Sequence, residues 1–126
     1  MTPDPLAALL SSPPDLPVAS VLGEIRAALR ERGVVVVHAP PGTGKTTLVP
    51  PLVACAMEQI GSGGRVIVTQ PRRIAARAAA RRLAQLLGQS VGESAGWSVR
   101  GESRVSAATR VEFVTTGVLL RRLQRD

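Results

Sequence analysis

Hydrophobic and polar positions divide the chain into alternating helical and extended blocks. Val21, Leu22, Ile25, Ala28 and Leu29 recur at the three- and four-residue spacing of a buried helix face, with Ser20 available as a cap and Gly33 as a stop. VVVVH at 34–38 shows no polar face and predicts a buried strand. TTLVPPLVACAMEQI at 46–60 returns to helical spacing, with a kink or break expected at Pro50 and Pro51, since proline lacks the amide a helix interior needs. After the GSGG turn at 61–64, RVIVTQ at 65–70 reads as a second buried strand, and residues 72–88 read as an alanine-rich helix ended by Gly88. A short strand is expected around Trp97–Val99, another in RVEFVTT at 110–116, and a last helix in VLLRRLQ. Strands and helices in alternation predict an α/β fold with a parallel sheet flanked by helices. The first 17 residues hold five of the ten prolines and are expected to form a flexible tail, leaving 18–126 as one domain.

At 126 residues and 44% hydrophobic the chain suffices for one core. Trp97 and Phe113 are its only aromatic residues, so that core is built from aliphatic side chains and stacking platforms for bases are scarce. The lone Cys55 cannot form an internal disulfide, and one Cys with one His makes no zinc site. No apolar run is long enough to span a bilayer, and the proline- and aspartate-containing N-terminus does not resemble a secretion signal; a cytoplasmic protein with no membrane partner is expected. The net charge of +7 is uneven: residues 1–64 carry four basic and five acidic groups, residues 65–126 twelve and four. That bias suits a polyanion, and equally suits an arginine-rich solvated face.

HAPPGTGKTT at 38–47 joins the valine strand to a helix start. Backbone N–H groups at such a junction point at the positive end of the helix dipole and make a phosphate site. Pro41, Gly42, Thr43 and Gly44 form the curling loop, Lys45 can reach the terminal phosphates, the Thr46 hydroxyl can ligate Mg²⁺, and Thr47 completes the turn. Ala39 stands where the pattern G-x-x-x-x-G-K-[ST] has its first glycine. Lys45 is the only lysine among sixteen basic residues, and arginine is too bulky a fork to replace an ammonium inside such a loop. The bland alternative is a Pro/Gly-rich turn before a helix.

APPGTGKTT resembles motif I of the superfamily 2 helicases, in which alanine is an ordinary first residue. TQPRR at 69–73 resembles motif Ia of the DEAH-box helicases, VTTGVLLRRL at 114–123 their motif Ib, and GWSVRGE at 96–102 the stretch between them. The resemblance covers roughly residues 16–126. It implies a partial RecA-like P-loop NTPase domain, the N-terminal portion of a first helicase domain, using ATP or another NTP with Mg²⁺. It also implies a single-stranded nucleic acid partner, with RNA favoured, held by Gln70, Pro71, Arg72, Arg73, Thr115, Thr116 and Gly117. Such contacts at strand ends grip phosphates and read no sequence.

The D-E-x-H motif of that family is absent: the only aspartates are Asp4, Asp15 and Asp126. No catalytic residue is therefore assigned beyond Lys45 and Thr46, and the second RecA-like domain is missing too, so this stretch is expected to bind nucleotide without hydrolysing it or unwinding. Arg73, Arg77 and Arg81 follow i, i+4, i+8 spacing, and Arg77, Arg81 and Arg82 are expected on a solvated helix face. Arg100 is as well explained by an ion pair with Glu102 as by the motif, and Trp97 by packing on the sheet. A P-loop ATPase unrelated to nucleic acid and a non-catalytic nucleotide-binding module remain open as alternatives.

Overall fold

The computed structural model describes residues 4–32, 45–59 and 65–125, and the chain divides into two compact units, 1–64 and 65–126. The expected strand at 34–38 and the loop residues Pro41–Gly44 lie outside the described residues.

In the first unit α1 (Pro5–Ser11) occupies part of the stretch read as a flexible tail. Proline at its first helical position costs nothing, because that amide has no helical partner, and the Asp4 carboxylate accepts the Leu6 N–H at 3.0 Å. Leu6 is completely buried and Leu9 nearly so, and α1 lies against α3 (Lys45–Gln59). A short 3-10 helix, Pro17–Val21, precedes α2 (Leu22–Arg32), so Ser20 is not an N-cap; its hydroxyl donates to the Pro17 carbonyl. The expected break at Pro50 and Pro51 does not occur, and α3 runs through both. Each proline leaves one carbonyl in the preceding turn without a helical donor. Burial of Pro50, Pro51, Leu48 and Leu52, with α1 and α2 packed on the helix, offsets that loss.

The second unit is a four-stranded sheet ordered β1-β4-β2-β3, comprising β1 (Val66–Gln70), β2 (Ala95–Val99), β3 (Glu102–Arg104) and β4 (Val111–Thr115). β1 and β2 each pair parallel with β4, in register Val66 to Val111, Ala95 to Val111 and Trp97 to Phe113. The α/β class holds, with one addition: β3 is antiparallel to β2, joined by a two-residue loop whose Gly101 has φ 84°. α4 (Arg73–Leu87) follows β1 and ends at Gly88 in the left-handed conformation, and α5 (Thr116–Arg125) follows β4 directly. β1 is less buried than its apolar run predicts, with Ile67 37% exposed, because among the described residues it pairs with β4 alone.

The register sorts side chains onto two faces. Trp97 and Phe113 share one, against which α4 packs; Gly96, Ser98, Glu112 and Val114 share the other. Gly96 has no room for a side chain, since a Cβ there would collide with the Arg104 carbonyl oxygen and the Val105 side chain.

Candidate nucleotide and strand-binding sites

On the nucleotide side, Lys45 is the first residue of α3, and Thr46 and Thr47 sit half-buried in its first turn. Among the described residues α3 thus begins directly after the glycine-containing loop, and the first-turn amides of a helix can serve an anion. A hydroxyl at this position is a hard oxygen donor of the kind Mg²⁺ takes.

On the sheet side, parallel pairing brings the carboxyl ends of β1, β2 and β4 to one edge. A cleft of about 470 Å³ opens there, lined by Pro71, Arg73, Arg100, Thr115, Gly117, Val118 and Arg121. Four residues expected from the motifs, Pro71, Arg73, Thr115 and Gly117, thus meet from two segments separated by up to 46 positions, counting 117 minus 71. Gln70, Arg72 and Thr116 adjoin the cleft in sequence but are not among its lining: Gln70 closes β1 half-buried, Arg72 caps α4 exposed, and Thr116 opens α5 exposed.

Three lining residues were not assigned from sequence, the apolar Val118 and two arginines. Arg100, in the β2–β3 loop, joins the cleft and does not pair with Glu102; that carboxylate takes Arg77. Arg121 lies within VTTGVLLRRL, the stretch resembling motif Ib, which was the signal available for it. No carboxylate among the described residues pairs with Arg73, Arg100 or Arg121, so the cleft presents three uncompensated guanidinium groups.

Arg77 is a correction to the solvated-face expectation. Its guanidinium lies 4.9 Å from the centroid of the Trp97 ring and pairs with Glu102, tying α4 to β2 and β3. Trp97 packs on the sheet as expected and is buried.

Behind the cleft lies Glu112, whose side chain is 1% exposed. Arg122 grips it in a two-pronged pair, Nη1 to Oε1 at 3.1 Å and Nη2 to Oε2 at 2.8 Å. Arg65 Nη1 donates to Oε1 at 3.2 Å, and the Ser98 hydroxyl donates to Oε2. Burial pushes the carboxyl pKa upward, but the Arg122 and Ser98 hydrogen bonds, with the charges of Arg122 and the Arg65 bond, outweigh it and hold the value at about 2. The same carboxylate raises the pKa of Arg122.

The geometry can be set beside known proteins. The AAA domain family model matches residues 19–118. The chain belongs to this family. This AAA domain is 43% identical over 111 residues to the ATP-dependent RNA helicase HrpB of Escherichia coli, covering 88% of the chain and 13% of that protein. It is 38% identical over 117 residues to the Escherichia coli ATP-dependent RNA helicase HrpA, and 39% identical over 111 residues to the probable ATP-dependent RNA helicase DHX34 of Homo sapiens. These cover 93% and 88% of the chain, and 9% of each relative. A crystal structure of the Escherichia coli DEAH/RHA helicase HrpB superposes with a TM-score of 0.78 at 43% identity, over 89% of this chain and 14% of that one. The DEAH-box resemblance read from four motifs is thus matched in sequence and in fold. The AAA domain spans about an eighth of HrpB and less than a tenth of the other two relatives.

No helix among the described residues is long and apolar enough to cross a membrane. Nor is any group of three or more His, Cys, Asp or Glu residues among them placed to hold a metal ion.

Proposed function

We propose that this AAA domain is the nucleotide- and strand-binding portion of a cytoplasmic ATP-dependent RNA helicase. Pro41–Thr47 holds NTP and Mg²⁺, with Lys45 on the terminal phosphates and Thr46 on the metal. Mg²⁺ supplies charge neutralisation of the phosphates. The cleft at the sheet's carboxyl edge holds the phosphates of single-stranded RNA. Arg73, Arg100 and Arg121 supply charge there, Thr115 a hydroxyl, and Gly117 an unobstructed approach to the α5 amides. Gln70, Arg72 and Thr116 extend that surface along the strand's path.

The observation that carries this reading is the convergence on one cleft of a helix start and three arginines with no ion-pair partner among the described residues, at the edge where α/β sheets bind ligands. RNA over DNA is supported by what HrpB, HrpA and DHX34 are named for. The 126 residues contain no Asp-Glu pair, so we expect binding without turnover; hydrolysis and movement require acidic residues and a second RecA-like domain outside them.

Filter binding of a short single-stranded RNA over a salt series, with calorimetric titration of Mg·ATP alongside, tests the proposal. Arg73→Ala is expected to weaken RNA binding and to lower the salt slope by about one. Lys45→Ala should abolish nucleotide binding and leave RNA binding intact. RNA affinity that ignores both salt and Arg73→Ala would overturn the strand assignment.

A further inference from the structure

The sheet face opposite α4 bears a carboxylate where an α/β strand ordinarily carries an aliphatic side chain. A buried charge is retained only if its partners compensate it, and a carboxylate can accept about four hydrogen bonds. Glu112 accepts four, and they come from three other segments of the unit. Ser98 belongs to β2, two residues before Arg100. Arg122 belongs to α5, next to Arg121. Arg65 immediately precedes β1, and its Nε and Nη2 also donate to the Thr109 and Ser106 carbonyls at 3.2 and 2.8 Å, ahead of β4. Glu112 itself is three residues before Thr115. Two of the cleft's segments thus run back within three residues to one carboxylate, Arg100 through Ser98 and Thr115 through Glu112 itself, while Pro71 and Arg73 are reached only across the length of β1 from Arg65.

The pairing with Arg122 is the specific part. A two-pronged guanidinium–carboxylate pair defines a plane and a direction, which a single contact does not. Adjacent residues on a helix point about 100° apart. Fixing Arg122 against the sheet therefore fixes the rotation of α5, and that rotation determines where Arg121 points. Arg122 pairs inside the unit, whereas Arg121 has no ion-pair partner among the described residues and lines both the cleft and the neighbouring hollow that holds Glu112.

We infer that Glu112 is a positioning residue for strand binding, which by clamping Arg122 and Ser98 turns Arg121 and Arg100 into the cleft. This rests on the strand-binding reading given above. A purely structural Glu112 would lower stability and weaken every function alike. A positioning Glu112 acts on RNA through Arg121 and leaves the nucleotide site alone.

The test is a double-mutant cycle on RNA affinity in the whole chain, with Glu112→Gln and Arg121→Ala singly and together. Mg·ATP titration and a melting curve accompany each variant. Glu112→Gln is expected to weaken RNA binding about tenfold in the parent but less than about twofold in the Arg121→Ala background, with Mg·ATP affinity unchanged. An equal loss in both backgrounds, or no loss in the parent, overturns the inference while leaving the strand-binding reading standing. A folded parent chain with no RNA affinity overturns both. If Glu112→Gln fails to fold, Arg122→Lys asks the same question from the other partner, whose side chain is 43% exposed: it keeps a positive charge beside the carboxylate and removes the two-pronged geometry. The same non-additivity with Arg121→Ala is then the supporting result, and additivity the overturning one.

Discussion

The described residues of the first unit, 4–32 and 45–59, gather helices around Leu6, Leu9, Leu48, Pro51 and Leu52, a core with hardly a polar atom in those side chains. Residues 66–125 surround Phe113, Leu83 and Val111 with strands and helices and then set a carboxylate beside them, compensated by two arginines and a serine. Apolar packing accepts many arrangements of similar energy, whereas a hydrogen-bonded charge accepts few. The difference follows the chemistry proposed for each unit. A nucleotide loop at a helix start uses backbone amides, which the helix itself orients; a cleft built from side chains on three separate segments needs something to hold those segments in register.

The largest effect separating the two units should come from Phe113→Ala. Phe113 is completely buried, and its truncation is expected to cost about 3–5 kcal/mol. Amide hydrogen exchange should show that loss in β2 and β4, and an equal loss of protection in α3 would mean that the units do not open separately.

Acid should separate them next. Glu112 has a folded pKa of about 2 against 4.5 for an ordinary glutamate, so its stabilisation is fully present above pH 4.5 and is lost as the pH falls from there towards 2. Up to about 3 kcal/mol is at stake in the sheet unit. Glu112→Gln should flatten that part of the pH–stability curve, and a curve unchanged by the substitution would break the assignment.

Arg77→Ala is the smallest of the three. Losing the stack over Trp97 and a half-exposed ion pair should cost about 0.5–1 kcal/mol in denaturant titration. A loss within error would return Arg77 to the solvated face the sequence suggested.

What could be read from the sequence followed the strength of local signals. α4 was legible because Gly88 stops it and its apolar face repeats at helical spacing; β4 was legible because Val111, Phe113 and Val114 are β-branched or aromatic and follow a turn-forming stretch. The strand-end residues Pro71, Arg73, Thr115 and Gly117 were found because motif spacing reflects strand ends. α1 was missed because the prolines around it mark loops, whereas Pro5 stands at the first helical position, where proline is tolerated. β3 was missed because Glu102, Ser103 and Arg104 are all polar and exposed, so the strand exists only through its pairing with β2. Glu112 was passed over since a charge in a strand ordinarily marks the solvent side, and its partners lie 10, 14 and 47 residues away. Separations of that kind are set by topology, and no local pattern announces them.

Trp97 is the only tryptophan in a chain that has no tyrosine. Its ultraviolet emission therefore originates wholly within the sheet unit, beneath the Arg77 guanidinium, and the helical unit is dark at that wavelength. A thermal scan followed by intrinsic emission would trace one unit, while a calorimetric scan of the same sample would trace both. The gap between the two midpoints is a direct reading of how far the halves of this chain are energetically independent, obtained without a label or a substitution.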